Sequence, residues 1–405
     1  MKKSTRNVTE LETANSTEKQ EMDLNWSRLV RRRKFLQGLA ASGAGLSATS
    51  LFADSKKLHK GDVALLQFAL TAEQLEADLW QQYNELGGAV DSNDNANPGN
   101  PAYVAALQNL DGDMPQYISD NTDDEISHAA FLAAYLKSKG ETPVDLSSFK
   151  RLAGSQATGA NKSAKRITNL MSLNVDTSWY FRYRSTQNPD LGATFPQLLT
   201  IKNQPAIPLN DTDTNPNTVI KIPPSTPGPN RMQAIANTAS MHFAFIEQGG
   251  SSLYPILALK ATSGEVLRIL LSIGGVEIDH FGLWHDKLGN AISQPVAGIS
   301  DPETMLTFPD FNNAANQHNA GLSGADSAAG SQMFQTNLIL AEPTQFLDPN
   351  LGPVSIIRPT LDESGGAVAT IKAFAADNLF LGQGQDFINL LLELAAAADA
   401  VEERG

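Results

Sequence analysis

The 405-residue sequence contains no cysteine. Disulfides, thiolate zinc sites, iron–sulfur clusters and a cysteine nucleophile are therefore excluded, and a metal ion could be bound only by carboxylates and imidazoles. Long hydrophobic runs are also missing after residue 54, so we expect no integral membrane span. Neither a Ser-His-Asp order nor a glycine-rich loop between a strand and a helix is present, which argues against the common hydrolase and nucleotide-binding classes.

Charged residues are scarce as well, at 18% of the chain, and they are unevenly distributed. Residues 1–53 carry nine basic and five acidic side chains, which leaves 21 basic and 39 acidic side chains in the remainder. A negative field of this size repels phosphate backbones, so we expect no nucleic-acid partner. With 41% apolar residues, the chain is nevertheless able to bury a sizeable core.

The first 53 residues have the features of a targeting segment. A basic run that ends at Lys34 is followed by a short stretch of small and apolar residues, which is typical of a signal peptide. Residues 32–36, Arg-Arg-Lys-Phe-Leu, resemble the twin-arginine export motif, although Arg31 stands where serine or threonine is usual. This resemblance implies that the twin-arginine machinery exports the protein to a periplasmic or extracellular location. A disordered basic tail is the alternative interpretation.

Four stretches have the apolar periodicity and the terminal signals of long helices. They cover residues 62–85, 123–139, 231–259 and 263–288. In the third stretch, the Gly-Gly pair at 249–250 and Pro255 are expected to disturb or kink the helix. A capping box from Thr262 to Glu265 is expected to open the fourth, and Gly289 is expected to end it.

The connections between these helices are long and uneven. Residues 87–101 predict a Gly/Asn/Pro loop, and residues 140–230 predict an irregular crossover with a few short strands and one weak helix signal near 164–173. After residue 290 we expect loop-like chain until a final helix over residues 386–403. The predicted domains are a signal peptide over 1–53, a helical bundle over 54–290 with the 140–230 insertion, and a C-terminal extension over 291–405 that packs on the bundle.

The pattern Glu-Ile-x-His occurs twice, at Glu125–His128 and at Glu277–His280. A glutamate and a histidine three residues apart lie one turn apart on the same helix face, so both side chains can point at one metal ion. A single pair would be weak support, but two pairs that share the residue after the glutamate indicate an internal repeat. Ion pairs on the surfaces of two helices are the plain alternative.

The repeat extends to the other two predicted helices. Glu73 is followed seven positions later by an aromatic residue, Trp80, and Glu247 is followed in the same way by Tyr254. Each half of the bundle thus supplies a lone glutamate and then a Glu-x-x-His pair. Glu76 competes with Glu73 as a ligand, and we prefer Glu73 because a glutamine follows both Glu73 and Glu247. We interpret Trp80 and Tyr254 as core residues, with electron transfer as the alternative.

This arrangement resembles the ferritin-like superfamily, in which two bundle helices each supply one glutamate and the other two each supply a Glu-x-x-His pair. Within it, the chain looks most like exported, desiccation-related proteins with a ferritin-like domain. The resemblance implies an all-α fold, a ferritin-like four-helix bundle with long irregular insertions and an extra C-terminal helix. It also implies a dinuclear iron or manganese site with the ligands Glu73, Glu125, His128, Glu247, Glu277 and His280. Asp124, directly before Glu125, would bind the free ring nitrogen of a ligand histidine, whereas the corresponding residue before Glu277 is Val276.

Two kinds of function are compatible with this resemblance. The first is an exported di-metal carboxylate oxidoreductase, of the ferroxidase or peroxide-scavenging type, with dioxygen, peroxide or a small organic molecule as its substrate. The second is a non-catalytic stress or desiccation-related scaffold whose metal site is empty or structural. The long insertions depart from compact ferritins and argue against iron storage in a cage, while oligomerisation of another kind stays open.

Overall fold

Four long helices in the computed structural model coincide with the four that the apolar periodicity predicts, which confirms the all-α fold class. They are α1 (Lys60–Gly87), α3 (Met114–Ser138), α4 (Arg231–Lys260) and α5 (Gly264–Ala291). Three shorter helices accompany them, α2 (Pro101–Leu110), α6 (Ala367–Ala376) and α7 (Gln385–Asp399), together with a 3-10 turn at Ser147–Phe149. The structure describes residues 57–89, 99–179, 197–213, 228–291, 297–308, 338–340, 350, 353–355 and 366–403. The predicted signal peptide lies outside these residues.

The long helices form two antiparallel pairs that pack into a bundle. Helices α4 and α5 are joined by only three residues, so the chain must reverse between them. Contacts between α1 and α3 run in opposite sequence directions, because the Ser119 hydroxyl meets Asn84 and the Thr122 hydroxyl donates to the Trp80 carbonyl. Helices α1 and α4 are also antiparallel, because Trp80 meets Glu247 and the earlier residue Glu73 meets the later residue Tyr254. This places the middle turns of all four helices around one central point.

One predicted helix start before residue 140 is wrong, and one helix in this region was missed. Helix α3 begins at Met114 rather than at residue 123, and α2 was not predicted at all. Both true starts carry proline in the first turn, and Asn100 caps α2 by accepting a hydrogen bond from the Tyr103 N–H. The acidic run near residue 123 resembled a helix start, but it lies in the middle of α3.

The boundaries in the second half differ for tertiary reasons. Helix α4 runs through Pro255 and the preceding Gly-Gly pair as one helix. The Thr262 capping box does not form, because the Thr262 hydroxyl donates to Asp62 and the Ser263 hydroxyl caps α5 instead. Gly289 does not end α5, which continues to Ala291. One glycine costs a helix only about 1 kcal/mol, which favourable packing exceeds.

Short two-stranded pairs replace long sheets in the described parts of the connections. Antiparallel pairs join β1 (Leu152–Ala153) to β2 (Lys165–Arg166), β3 (Leu173–Val175) to β4 (Ile201–Gln204) and β7 (Leu338–Leu340) to β8 (Pro353–Ser355), and a parallel pair joins β5 (Gly228–Pro229) to β6 (Ile299–Ser300). The predicted irregular crossover with short strands is therefore present. The suggested helix near 164–173 is wrong, because strand pairing and side chains of α1 take up its backbone groups.

The crossover is held to the outer face of α1 by polar side chains of that helix. Gln74 accepts a hydrogen bond from the Leu146 N–H, and Glu85 pairs with Arg166. Asp78 is the most heavily bonded of these residues, since its Oδ2 accepts from the N–H groups of residues 167 and 168 and from the Thr168 hydroxyl, at 2.8–2.9 Å. Buried backbone donors need such partners because they have lost water.

Replacing Asp78 with alanine should therefore destabilise the fold strongly. The change leaves three buried donors of residues 167 and 168 without an acceptor, which we expect to lower the free energy of unfolding by about 3 kcal/mol. Urea denaturation measures the effect. Asp386→Ala removes an exposed carboxylate paired with Arg151 and should change stability by less than about 0.5 kcal/mol. Equal effects of the two variants would contradict this account.

The C-terminal helices pack on the bundle and on each other. Asp399 at the end of α7 accepts hydrogen bonds from the N–H groups of Ala367 and Val368, so it caps α6, and its carbonyl accepts from Lys260 of α4. The predicted final helix is present but ends four residues earlier, at Asp399, and α6 was missed. Among the described residues, no helix has the length and apolarity needed to cross a bilayer.

Candidate metal centre

The six residues that the repeat singled out converge at the centre of the bundle. Helix α1 supplies Glu73, α4 supplies Glu247, and α3 and α5 supply the two Glu-x-x-His pairs. All six side chains are buried. Their ligand atoms form two overlapping groups, each with atoms within 4.8 Å of one another: Glu73, Glu125, His128 and Glu277, and Glu125, Glu247, Glu277 and His280. Glu125 and Glu277 belong to both groups, so the arrangement suits two adjacent ions.

Each imidazole faces the carboxylates through its Nδ1 atom. His128 Nδ1 lies 3.3 Å from Glu73 Oε2 and 3.3 Å from Glu125 Oε2. His280 Nδ1 lies 3.2 Å from Glu125 Oε1 and 3.3 Å from Glu247 Oε2. Each histidine therefore lies in the same group of ligand atoms as the glutamate three residues before it on its own helix, as the i,i+3 spacing predicts.

The aromatic residues of the repeat bind the lone glutamates crosswise. Trp80 of α1 donates from Nε1 to Glu247 Oε1 at 3.0 Å, and Tyr254 of α4 donates from its hydroxyl to Glu73 Oε1. Each lone glutamate is therefore oriented by the aromatic residue of the opposite half. Our interpretation of Trp80 and Tyr254 as core residues was incomplete, because they are buried and also fix two candidate ligands.

Two further residues of the site were missed by the sequence reasoning. Asn121 donates from Nδ2 to Glu125 Oε1 at 2.9 Å and to Glu247 Oε1 at 3.1 Å. Its own Oδ1 accepts from Trp284 Nε1 at 2.8 Å. Asn121 lies four residues before Glu125, and Trp284 four residues after His280, so helical spacing alone placed both on the ligand face.

One histidine has a carboxylate partner on its outer side. Asp124 Oδ2 lies 3.2 Å from His280 Nε2, the nitrogen that points away from the cluster. Such a partner fixes the orientation of a ligand imidazole. His128 has Val276 at the corresponding position of the other half, so the support is one-sided, as the sequence indicated.

The remaining polar groups near the cluster are buried but lie outside both groups. Glu76 is only 3% exposed, and its Oε2 has no hydrogen-bond partner among the described residues, so it is a buried neighbour of the cluster and not a surface residue. Our preference for Glu73 agrees with the grouping. His242 is fully buried and bonds the Tyr83 hydroxyl at 2.8 Å, and burial lowers its pKa to about 3, which keeps it neutral.

Electrostatically, the cluster attracts positive charge. Burial, followed by repulsion from Glu125, raises the pKa of Glu73 to about 8, and the same causes raise the pKa of Glu277. Burial also acts against the anion of Glu125, but hydrogen bonds to both histidines outweigh it and lower its pKa to about 2. Burial disfavours the His128 cation, yet Glu125 and Glu73 raise its pKa to about 10. The cluster thus has more carboxyl groups than cationic side chains, so it favours the binding of additional positive charge.

The residues fit a pair of hard divalent ions. Glu277 Oε2 is buried and has no hydrogen-bond partner among the described residues, and Glu277 Oε1 has only an ion-pair contact with His128 Nδ1 at 3.5 Å. Uncompensated polar atoms at the centre of a core are costly unless something binds them. Four carboxylates with two imidazoles, and no sulfur ligand, are the donor set that iron and manganese accept. Whether these six residues bind metal stays a prediction.

Glycine at position 250 leaves room for one of the shared carboxylates. A Cβ added there would lie 2.7 Å from Glu277 Oε2 and 3.2 Å from its Cγ. The close approach continues one turn along, where a Cβ at Gly274 would lie 2.6 Å from the Tyr254 Cβ. Helices α4 and α5 are therefore packed closely around Glu277.

Gly250→Ala should displace Glu277. We expect overpacking to cost about 1–3 kcal/mol of stability and metal affinity to fall with it. Gly249→Ala is the matched control, since a Cβ there meets nothing within 4 Å and should stabilise the helix by about 0.5–1 kcal/mol. Thermal unfolding and metal titration of both variants check the prediction, and unchanged metal affinity in Gly250→Ala would contradict it.

A four-helix bundle with two Glu-x-x-His pairs and two lone glutamates at its centre defines a ferritin-like protein. The sequence model of a family described as "Ferritin-like domain" matches residues 61–290, which is more than half of the chain. The chain therefore belongs to this family. Searches of curated proteins and of solved structures found no match. The resemblance to the ferritin-like superfamily is thus confirmed.

Proposed function

We propose that this chain binds a dinuclear iron or manganese centre and acts on dioxygen or peroxide as an oxidoreductase. The observation that carries the proposal is the sharing of Glu125 and Glu277 by the two groups of ligand atoms. When bound, two such ions would supply one-electron redox chemistry toward dioxygen or peroxide. Glu73 with His128 would complete one metal position, and Glu247 with His280 would complete the other.

The surrounding side chains orient the ligands and exclude water. Trp80 and Tyr254 fix the lone glutamates by hydrogen bonds, and Asn121 holds Glu125 and Glu247 together. The carboxylates are completely buried, while the side chains of His128 and His280 are 11% and 9% exposed. We therefore infer that a molecule as small as dioxygen or peroxide would approach the centre from the side of the two imidazoles.

Metal analysis of the purified protein tests the proposal. We expect close to two iron or manganese ions per chain, and their loss in a Glu125→Ala, Glu277→Ala double variant. Glu265→Ala is the control, because it changes a surface glutamate of the same helix as Glu277. Circular dichroism shows whether each variant is folded. A wild-type protein that folds fully but binds no metal would overturn the proposal and favour the scaffold function.

Consumption of dioxygen or hydrogen peroxide by the metal-loaded protein separates an enzyme from a metal carrier. We expect turnover in the wild type and in Glu265→Ala, and none in the double variant. Metal binding without consumption of either oxidant would retain the metal site and reject the oxidoreductase function.

We also propose that residues 1–53 direct export through the twin-arginine route, as in the desiccation-related branch. The support is the sequence of residues 32–36 and the short apolar stretch after it. Replacing Arg32 and Arg33 with lysine in the full-length chain should leave the protein in the cytoplasm, as cell fractionation would show. Unchanged export would contradict the proposal.

A further inference from the structure

Two indole rings are hydrogen-bonded into the carboxylate cluster from the same side. Trp80 Nε1 donates directly to Glu247 Oε1, and Trp284 Nε1 donates to Asn121, which in turn donates to Glu125 and Glu247. Both tryptophans are buried. Each indole is thus separated from candidate metal ligands by one or two hydrogen bonds.

These rings continue toward the surface as a column. The Trp80 and Trp284 rings stack with centroids 5.5 Å apart and planes 17° apart. Trp284 then meets the Tyr117 ring edge-on at 6.3 Å. Tyr117 is half-buried, and the ammonium of Lys287, itself paired with Asp111, lies 5.3 Å from its ring centroid. We call Trp80, Trp284 and Tyr117 the aromatic column.

The column spans both halves of the internal repeat, but two of its three rings have no aromatic counterpart at the repeat-related positions. When the two Glu-x-x-His helices are aligned on their motifs, Trp284 corresponds to Leu132, and Tyr117 corresponds to Ile269. Both aliphatic residues are buried in the bundle core. Aliphatic side chains therefore satisfy the packing at the repeat-related positions, and the rings of Trp284 and Tyr117 supply a property that leucine and isoleucine lack.

We propose that the aromatic column carries single electrons between the metal centre and the protein surface at Tyr117. This inference rests on the proposed function, because the oxidant is the centre after reaction with peroxide. Indole and phenol rings lose one electron far more readily than aliphatic side chains, and neighbouring rings in contact allow the electron to move in short steps.

Hydrogen peroxide is the terminal oxidant, and each molecule takes two electrons and two protons to become two molecules of water. For each electron that would pass to the bound metal ions, an indole of the column loses one electron and regains it from Tyr117. The phenol then releases its hydroxyl proton to solvent and becomes a neutral phenoxyl radical. A small organic reductant of the enediol or phenol class donates one electron and one proton at the surface, which restores Tyr117 and leaves the donor oxidised by one electron.

Tyr117→Phe tests the column without touching a candidate ligand. Iron-loaded protein is mixed with hydrogen peroxide, frozen within milliseconds and examined by electron paramagnetic resonance, and oxidised residues are mapped by peptide mass spectrometry. We expect a tyrosyl signal in the wild type and its loss in Tyr117→Phe. Re-reduction of the iron by ascorbate should also become slower in this variant.

Tyr135→Phe is a closely matched control. Tyr135 lies on the same helix, is also half-buried and has the ammonium of Lys139 5.2 Å from its ring centroid, but it stacks on Phe131 instead of the column. This variant should keep the tyrosyl signal. Trp284→Phe, which removes the middle of the column, should lose it.

Iron analysis before mixing separates two ways in which the inference fails. A tyrosyl signal that persists in Tyr117→Phe, or that disappears equally in Tyr135→Phe, would overturn the column while leaving the metal centre intact. The same holds for iron-loaded wild type that forms no tyrosyl radical. Wild-type protein that takes up no iron would overturn the proposed function and the column with it.

Discussion

Glu277→Met should make the protein more stable in the absence of metal and unable to hold two ions. Glu277 is fully buried, neither of its oxygens has a hydrogen-bond partner among the described residues, and burial together with Glu125 raises its pKa. Removing such a group relieves a desolvation penalty, so we expect a gain of about 2 kcal/mol in the free energy of unfolding. Methionine has a similar length and no polar group to satisfy.

The test compares urea unfolding of wild type and variant, each with a chelator and with added metal. Metal should stabilise the wild type, by about 2.7 kcal/mol at a hundredfold excess over its Kd, and should stabilise the variant much less. Glu265→Met, on the surface of the same helix, should change neither quantity by more than about 0.5 kcal/mol. If Glu277→Met is less stable than wild type with chelator present, the carboxyl group supports the fold rather than a metal ion.

Metal affinity should rise steeply with pH. Glu73, with a pKa raised to about 8, and His128, with a pKa raised to about 10, both carry a proton at neutral pH before a metal binds. A bound ion needs the carboxylate and the neutral imidazole, so binding releases both protons. Each released proton raises the apparent affinity about tenfold per pH unit. The part of the pH dependence that Glu73 causes disappears as the pH rises through about 8, and the part that His128 causes disappears as the pH rises through about 10.

Zinc titrations between about pH 6 and pH 8 measure this slope without redox chemistry, because zinc has no accessible second oxidation state. Calorimetry in buffers with different ionisation enthalpies counts the released protons. Glu73→Gln should reduce that count by one at neutral pH, whereas Glu265→Gln should leave it unchanged. An affinity that does not depend on pH would show that these ligands are already deprotonated before the ion binds.

Much of the bundle could be predicted because its signals are local. Apolar residues at helical spacing identified all four long helices, and the repeated Glu-Ile-x-His motif identified the face that each helix turns inward. Boundaries were less predictable. Proline in the first turn marks the starts of α2 and α3, and Asn100 caps α2, but the acidic run near residue 123 was the stronger signal in the sequence and gave the wrong start for α3. The Thr262 hydroxyl donates to Asp62 of a distant helix and therefore does not cap its own helix.

The contacts around the candidate ligands could be predicted only in part. Asn121 and Trp284 lie at helical spacing from Glu125 and His280, so the ligand face included them, but spacing does not reveal a hydrogen bond between two helices. Glu76 shows the same limit. Its spacing from Glu73 is compatible with a ligand, a buried neighbour or a surface residue, and only the packing of the other three helices distinguished them.

By itself, the sequence determined the kind of site: with no cysteine, only carboxylates and imidazoles remained, and the paired Glu-Ile-x-His motifs placed them on helix faces. The tertiary structure decided how those faces meet. It made Glu125 and Glu277 common to both groups, brought Trp80 and Tyr254 to the lone glutamates of the opposite half, and joined Trp80, Trp284 and Tyr117 into one aromatic column. Helical periodicity fixes the direction of a side chain about its own axis, whereas the partner it meets depends on the register between helices that are far apart in sequence.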